Sequence, residues 1–129
     1  MKTKSQILQL CDQVRETSFA LQRCLRHGHL EKVYENGLAN CLREAGVQVK
    51  PQHPVQVLDE DGAVLGDCFA DLLVEGEVIV ELKACEALAD EHVARHLGCL
   101  RGCRVDHVLL INFGSRKLEV REYSLSDAI

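Results

Sequence analysis

Between Ser5 and Leu25 small or apolar side chains recur at Ile7, Leu10, Cys11, Val14, Ser18, Leu21 and Leu25, steps of three and four residues that predict an amphipathic helix. Arg26, His27, Gly28 and His29 interrupt the stripe. It resumes at Leu30, Val33, Tyr34, Leu38, Cys41, Leu42 and Ala45, and Gly46 supplies the stop, so a second helix is expected over 30–45. Beyond Gly46 the period changes. VQVKPQHPVQVL, AVLGDCFADLLVE and EVIVELKAC are short β-rich runs separated by a DEDG turn and a turn at Gly76, which predicts a three-stranded meander. Pro51 and Pro54 lack ladder donors and place the first strand at an edge or give it a break. Helical spacing returns over 89–101, and VDHVLLINF and KLEVREYS then predict two strands about a turn at Gly114 and Ser115. The expected order is ααβββαββ, a mixed α/β (α+β) fold without repeats or a linker.

At 129 residues and 14.4 kDa the chain suits a single domain over 1–129 with a self-supporting core. Its apolar runs are too short for a membrane helix. The N-terminal stretch is broken by Gln9, Asp12, Gln13, Arg15 and Glu16 where a signal peptide would stay apolar, so a cytoplasmic protein without a membrane partner is expected. Seven cysteines without a CxxC pair are expected to act mainly as small apolar residues in a reduced compartment.

The net charge of −5 argues against nonspecific nucleic-acid binding. Its distribution is uneven: residues 59–91 hold one basic and eleven acidic side chains, whereas 92–121 hold six basic and two acidic. Arg95, Arg101, Arg104, Arg116, Lys117 and Arg121 form a set that could touch phosphates if gathered on one face, or remain solvated. Only 4% of residues are aromatic, which does not support base stacking.

In EVIVELKA, alternation puts Val78, Val80 and Leu82 on one face of the strand and Ile79, Glu81 and Lys83 on the other. Asp71 interrupts the apolar run FADLLV, where a lone carboxylate needs a partner. Pairing about Gly76 brings Asp71 opposite residues near 81, so two carboxylates and an ammonium can converge. Adjacent carboxylates repel unless a cation lies between them, and a hard divalent ion fits oxygen ligands. Lys83 beside a metal-bound water could orient the nucleophile and steady charge on a phosphate. Spacing alone also allows a structural ion-pair cluster, and allows Glu31 to be a solvated helix position. His92, His96, Cys99 and Cys103 share one helix face; two of them could join a zinc site, but satisfied histidines with packed cysteines are the preferred reading.

GHLEKVY, with Gly28, Glu31 and Tyr34, followed by FADLLVEGEVIVELKA and LLINFG, resembles the GxxExxY family, a branch of the PD-(D/E)XK nuclease superfamily, over about residues 17–124. The resemblance implies a restriction-endonuclease-like core and a divalent-metal-dependent nuclease acting on DNA or RNA. It further implies that Asp71, Glu81 and Glu31 hold Mg2+ or Mn2+, and that Lys83 is the catalytic lysine. Tyr34 is expected to pack and donate one hydrogen bond. The chain departs from the family where Arg95 replaces a glutamine, Cys99 an aromatic residue, and Arg26-His27-Gly28 a Gly-Pro-Gly. Arg95 could make a phosphate contact or fill the site with its own cation. In the second case the domain would be an inactive, self-assembling scaffold. A domain this small without a recognition module is expected to work as a homo-oligomer, at least a dimer, or with a partner.

Overall fold

The first apolar stripe folds as α1, Lys4–Leu25, entered through a capping box in which Thr3 and Gln6 exchange side-chain and backbone hydrogen bonds. Its buried residues are Ile7, Leu10, Cys11, Val14, Ser18 and Leu21, and Ser18 satisfies its hydroxyl on the Val14 carbonyl at 2.8 Å. This is the stripe the spacing predicts. The computed structural model describes residues 2–100 and 104–125, apart from the side chain of Cys99. The predicted roles of Arg101, Cys99 and Cys103 lie outside the described residues or side chains.

The second helix, α2, runs Glu31–Glu44 and buries Tyr34, Glu35, Leu38, Ala39 and Leu42. Leu30 and Val33, expected on the apolar stripe, are exposed instead. Leu30 is the extended residue that starts the helix and never joins its face, while Glu35 turns inward. Gly46 stops the chain at φ 83°, a conformation that favours glycine.

Strands β1 (Val49–Leu58), β2 (Val64–Val74) and β3 (Val78–Lys83) form the predicted antiparallel meander. Helix α3 (Asp90–Leu100) then carries the chain to β4 (His107–Asn112), which pairs parallel with β3, and β5 (Glu119–Ser124) closes the sheet antiparallel to β4. The five strands lie in sequence order with β3 at the centre and β1 at an edge, as its prolines require.

One face of the sheet, through Leu72, Val74, Val78, Val80, Leu82, Leu109 and Ile111, packs on α1 and α2. The other face, through Leu73, Ile79, Val108 and Leu110, packs beneath α3. The alternation expected for β3 is therefore realised. In β1 it breaks: Val49 belongs to the first core and Val55 to the second, although both are odd-numbered positions. Gln52, between them, has φ 50° and is skipped in the register with β2. The partner strand changes face at the same level, with Leu72 in the first core and Ala70 in the second and no positive φ between them, so the whole hairpin turns from one packed face to the other there. The far half of the hairpin leaves Leu58, Val64, Leu65 and Phe69 exposed.

Cys68 is disulfide-bonded, which corrects the expectation of reduced cysteines at that position. β2 packs Cys68 against the α3-side core rather than dispersing it as an isolated small residue. Cys11, Cys24, Cys41 and Cys85 are free. Among the described residues, no helix is long and apolar enough to cross a membrane.

Candidate active site

The ladder between β2 and β3 runs Val74 to Val78, Leu73 to Ile79 and Leu72 to Val80, and stops there. At the next position Asp71 faces Glu81, and the backbone bonds give way to side-chain bonds. The Asp71 amide donates to Glu81 Oε1 at 3.2 Å, and the Leu82 amide donates to Asp71 Oδ2 at 2.8 Å. The strands thus open where the two carboxylates meet, and each carboxylate fills a gap left in the other strand's ladder.

Glu81 is only 3% exposed. Burial, followed by the neighbouring Asp71 charge, pushes its carboxyl up to about 8. Lys83, two residues on and on the same face, opposes that rise. Glu31, at the first turn of α2, is exposed, and its carboxyl is raised by partial desolvation and by Asp71 and Glu35, while Lys83 lowers it. All four expected residues, Glu31, Asp71, Glu81 and Lys83, therefore belong to one electrostatic neighbourhood at the open end of β2 and β3.

The segment around Glu31 is built by its neighbours in the motif. Gly28 has φ 109° and Arg26 φ 61°, so the turn between α1 and α2 is conformationally demanding. The buried Tyr34 hydroxyl donates to the Arg26 carbonyl at 2.5 Å and accepts from the His29 amide at 3.3 Å. Glycine, glutamate and tyrosine at this spacing thus shape the turn, present the carboxylate and clamp the turn, in that order.

The end of β3 is clamped by the NFG segment. The fully buried Asn112 accepts from the Cys85 and Gly114 amides at 3.1 and 3.0 Å, and donates to the Cys85 carbonyl at 3.0 Å and Glu119 at 2.9 Å. The Phe113 amide donates to the Lys83 carbonyl at 2.8 Å. A Cβ on Gly114 would lie 2.3 Å from the Cys85 nitrogen, so only glycine allows this approach. The LLINFG segment, part of the family resemblance, thus holds the strand that carries Lys83.

Three site neighbours were not singled out for these roles by sequence. His96 on α3 puts Nδ1 3.5 Å from Glu81 Oε2, and burial and the Lys83 charge push its imidazole down to about 4. The preferred reading of the histidine stripe as satisfied packing did not foresee that contact, which depends on where α3 lies over the sheet. Glu35, buried on α2, pairs with Lys32 and accepts from Gln52 Nε2 at 3.0 Å. Its only sequence signal is its place one turn after Glu31. Gln52 carried no signal, since its importance comes from its φ. Arg95 stands exposed on α3, next to His96.

The donor chemistry of Glu31, Asp71 and Glu81 suits a hard divalent ion, because a carboxylate held protonated by burial beside another carboxylate is the condition a cation relieves. Among the described residues, no three His, Cys, Asp or Glu side chains already surround one point at ligand distance. The clefts of about 610 Å3 are lined by other residues, beside His53 and Arg104 in one case and beside Leu8 and Tyr123 in the other.

Comparison with known proteins agrees with this fold. The family model of the PD-(D/E)XK nuclease superfamily matches residues 8–123. No curated protein and no solved structure matches the chain. Glu81-Leu82-Lys83 has the (D/E)XK pattern, and Asp71 stands on the preceding strand after the buried Ala70. With its three helices about a five-stranded mixed sheet and its matched span, the chain belongs to the PD-(D/E)XK nuclease superfamily.

Proposed function

We propose that the chain is a nuclease of the GxxExxY type that hydrolyses phosphodiester bonds of DNA or RNA with a divalent ion, Mg2+ or Mn2+. The observation that carries this reading is the opening of the β2–β3 ladder at Asp71 and Glu81, with Lys83 on the same strand. Asp71, Glu81 and Glu31 are the residues that would hold the ion. When bound, such an ion supplies Lewis-acid polarisation of the phosphate and a more acidic water.

The chain's own groups divide the remaining work. Lys83 places an ammonium beside the carboxylates, where it orients the attacking water and steadies negative charge developing on the phosphate. The water oxygen forms the new bond to phosphorus as the bond to the sugar oxygen breaks, and that oxygen takes up a proton. The neutral, buried form of Glu81 gives up its proton when its carboxylate is engaged. Arg95, exposed on the neighbouring helix, would contact a flanking phosphate.

Cleavage of plasmid DNA and of single-stranded RNA, with Mg2+ and with Mn2+, tests the reading. The native chain should cut at least one of them. Lys83→Ala and Asp71→Ala, purified in parallel, should lose cutting while keeping a native circular-dichroism spectrum. Undiminished cutting by Lys83→Ala would remove its assigned role.

The alternative, an inactive self-assembling scaffold, has one observation in its favour. Leu58, Val64, Leu65 and Phe69 leave an apolar surface on the β1–β2 hairpin that a second copy could cover. The mass in solution of the native chain and of Phe69→Glu tests the assembly. Ion binding separates a live site from a scaffold.

A further inference from the structure

Past the candidate site the β1–β2 hairpin has two unlike faces. Val55, Cys68 and Ala70 turn into the core beneath α3, whereas Pro54, Gln56, Asp67 and Phe69, which alternate with them, are exposed. Leu65 is 64% and Phe69 57% exposed, and Leu58 and Val64 are open beside them. Residues 58–69 also hold Asp59, Glu60, Asp61 and Asp67 and no basic residue. Among the described residues, none of these four carboxylates enters an ion pair.

The charge decides what can cover this surface. Nucleic acid is a polyanion and is repelled by it. Two hairpins set face to face would oppose their carboxylates, which is costly as well. The occupant must be both apolar and basic, and the corner between α1 and α2 of this same chain is both. Leu30 is 79% exposed and Val33 is open beside it, and the Val33 amide bonds the Leu30 carbonyl. Arg23 and Arg26 are exposed there, and among the described residues neither enters an ion pair. The Tyr34 hydroxyl draws the Arg26 carbonyl onto α2, which holds the corner together. Its exposed acid, Glu31, already feels the Lys83 charge.

We propose that a second copy of the chain covers this hairpin with its α1–α2 corner, and that two such contacts, exchanged across a two-fold axis, make a dimer. Leu65 and Phe69 of each copy meet Leu30 and Val33 of the other, while the hairpin carboxylates approach Arg23 and Arg26. Reciprocal exchange closes at two copies, whereas the same contact made one way would grow a filament. Leu30 adjoins Glu31 in sequence, so each hairpin borders the candidate site of the other copy. The contact rests on the assembly reading of the chain and is independent of whether the site cuts.

Sedimentation velocity of the full chain, loaded up to about 100 μM, reads the assembly, since a dimer of micromolar affinity is filled at that concentration. The native chain should run as a dimer, with twice the 14.4 kDa mass of one copy. Phe69→Lys and Leu30→Glu alter exposed positions and should keep the native circular-dichroism spectrum, yet each should weaken the dimer about tenfold or more. Mixed in equal parts, the two variants should dimerise again. In a mixed pair one contact joins an unchanged hairpin to an unchanged corner, and the other sets the new ammonium against the new carboxylate. A native dimer that Leu30→Glu leaves intact, or a mixture that stays monomeric, would overturn the exchange while leaving assembly standing. A native chain that is monomeric at the highest concentration would overturn assembly too, and would leave the hairpin to an unlike, basic protein. None of these outcomes bears on Asp71 or Lys83, whose roles the cutting assays decide.

Discussion

Tyr34 and Phe113 stack with ring centroids 4.7 Å apart and planes 12° from parallel. Tyr34 lies one turn after Glu31, and the Phe113 amide is bonded to the Lys83 carbonyl. One aromatic contact therefore sets the start of α2 against the end of β3, the elements that carry Glu31 and Lys83. Tyr34→Phe keeps the stack and loses the hydroxyl bonds, and should cost about 1 kcal/mol. Tyr34→Ala loses both and should cost about 3–5 kcal/mol. Urea unfolding of the two variants measures the difference; equal losses would mean that the stack contributes nothing.

Gly114→Ala places a methyl group against the Cys85 backbone, which cannot move away as a flexible side chain would. The expected loss is about 1–3 kcal/mol, the usual range for overpacking. Because the displaced segment follows Lys83, cutting should fall by more than the fraction unfolded explains. A variant that is fully stable and fully active would show that the close approach is unnecessary.

The ion-free protein should become less stable as pH rises from about 6.5 to about 8. Glu81 is raised from 4.5 to about 8 on folding, so its contribution is complete below 4.5 and lost as pH rises through 8. Glu31 is raised as well and acts in the same direction. His96 is lowered from 6.5 to about 4, so its contribution is complete above 6.5 and lost as pH falls through 4. The carboxylates and the histidine oppose one another between 4.5 and 6.5, and above that the histidine's effect has ended and the loss from the raised carboxylates remains. Denaturation midpoints in chelator at pH 6.5, 7.0, 7.5 and 8.0 should fall in the native chain and fall clearly less in Glu81→Gln. Ion affinity should rise over the same window, because binding requires the carboxylate to lose its proton.

Gln52 holds a left-handed backbone while its side chain satisfies the buried Glu35. Gln52→Ala keeps the unfavourable conformation and removes the bond, so it should be the more destabilising change. Gln52→Gly also removes the bond but relieves the backbone, and should be more stable than Gln52→Ala by about 1 kcal/mol. Thermal or urea unfolding of the pair isolates the backbone effect; a glycine variant no more stable than the alanine variant would contradict it.

The fold was legible where neighbours in sequence fix it. The α1 stripe, the Gly46 stop and the meander follow from local period and turn chemistry, and the short turn at Gly76 sets Asp71 opposite Glu81 without any long-range contact. The exposed Leu30 and the inward Glu35 were not legible, because helix phase at an end depends on what the helix packs against. The face switch at Gln52, which β2 shares between Ala70 and Leu72, escaped the alternation rule because that rule takes one packed face for the whole length of a strand.

By itself, then, the sequence determined the order of elements and the placing of Asp71, Glu81 and Lys83 at one end of a hairpin and its strand. Each of these depends on residues a few positions apart. Only the tertiary structure decided that β4 lies parallel to β3, that α3 sets His96 against Glu81, and that Tyr34 stacks on Phe113 so that the start of α2 meets the end of β3. Those relationships join distant segments through buried surfaces on both faces of the sheet. A one-dimensional pattern records which faces are apolar, but the packing of those faces selects their partners.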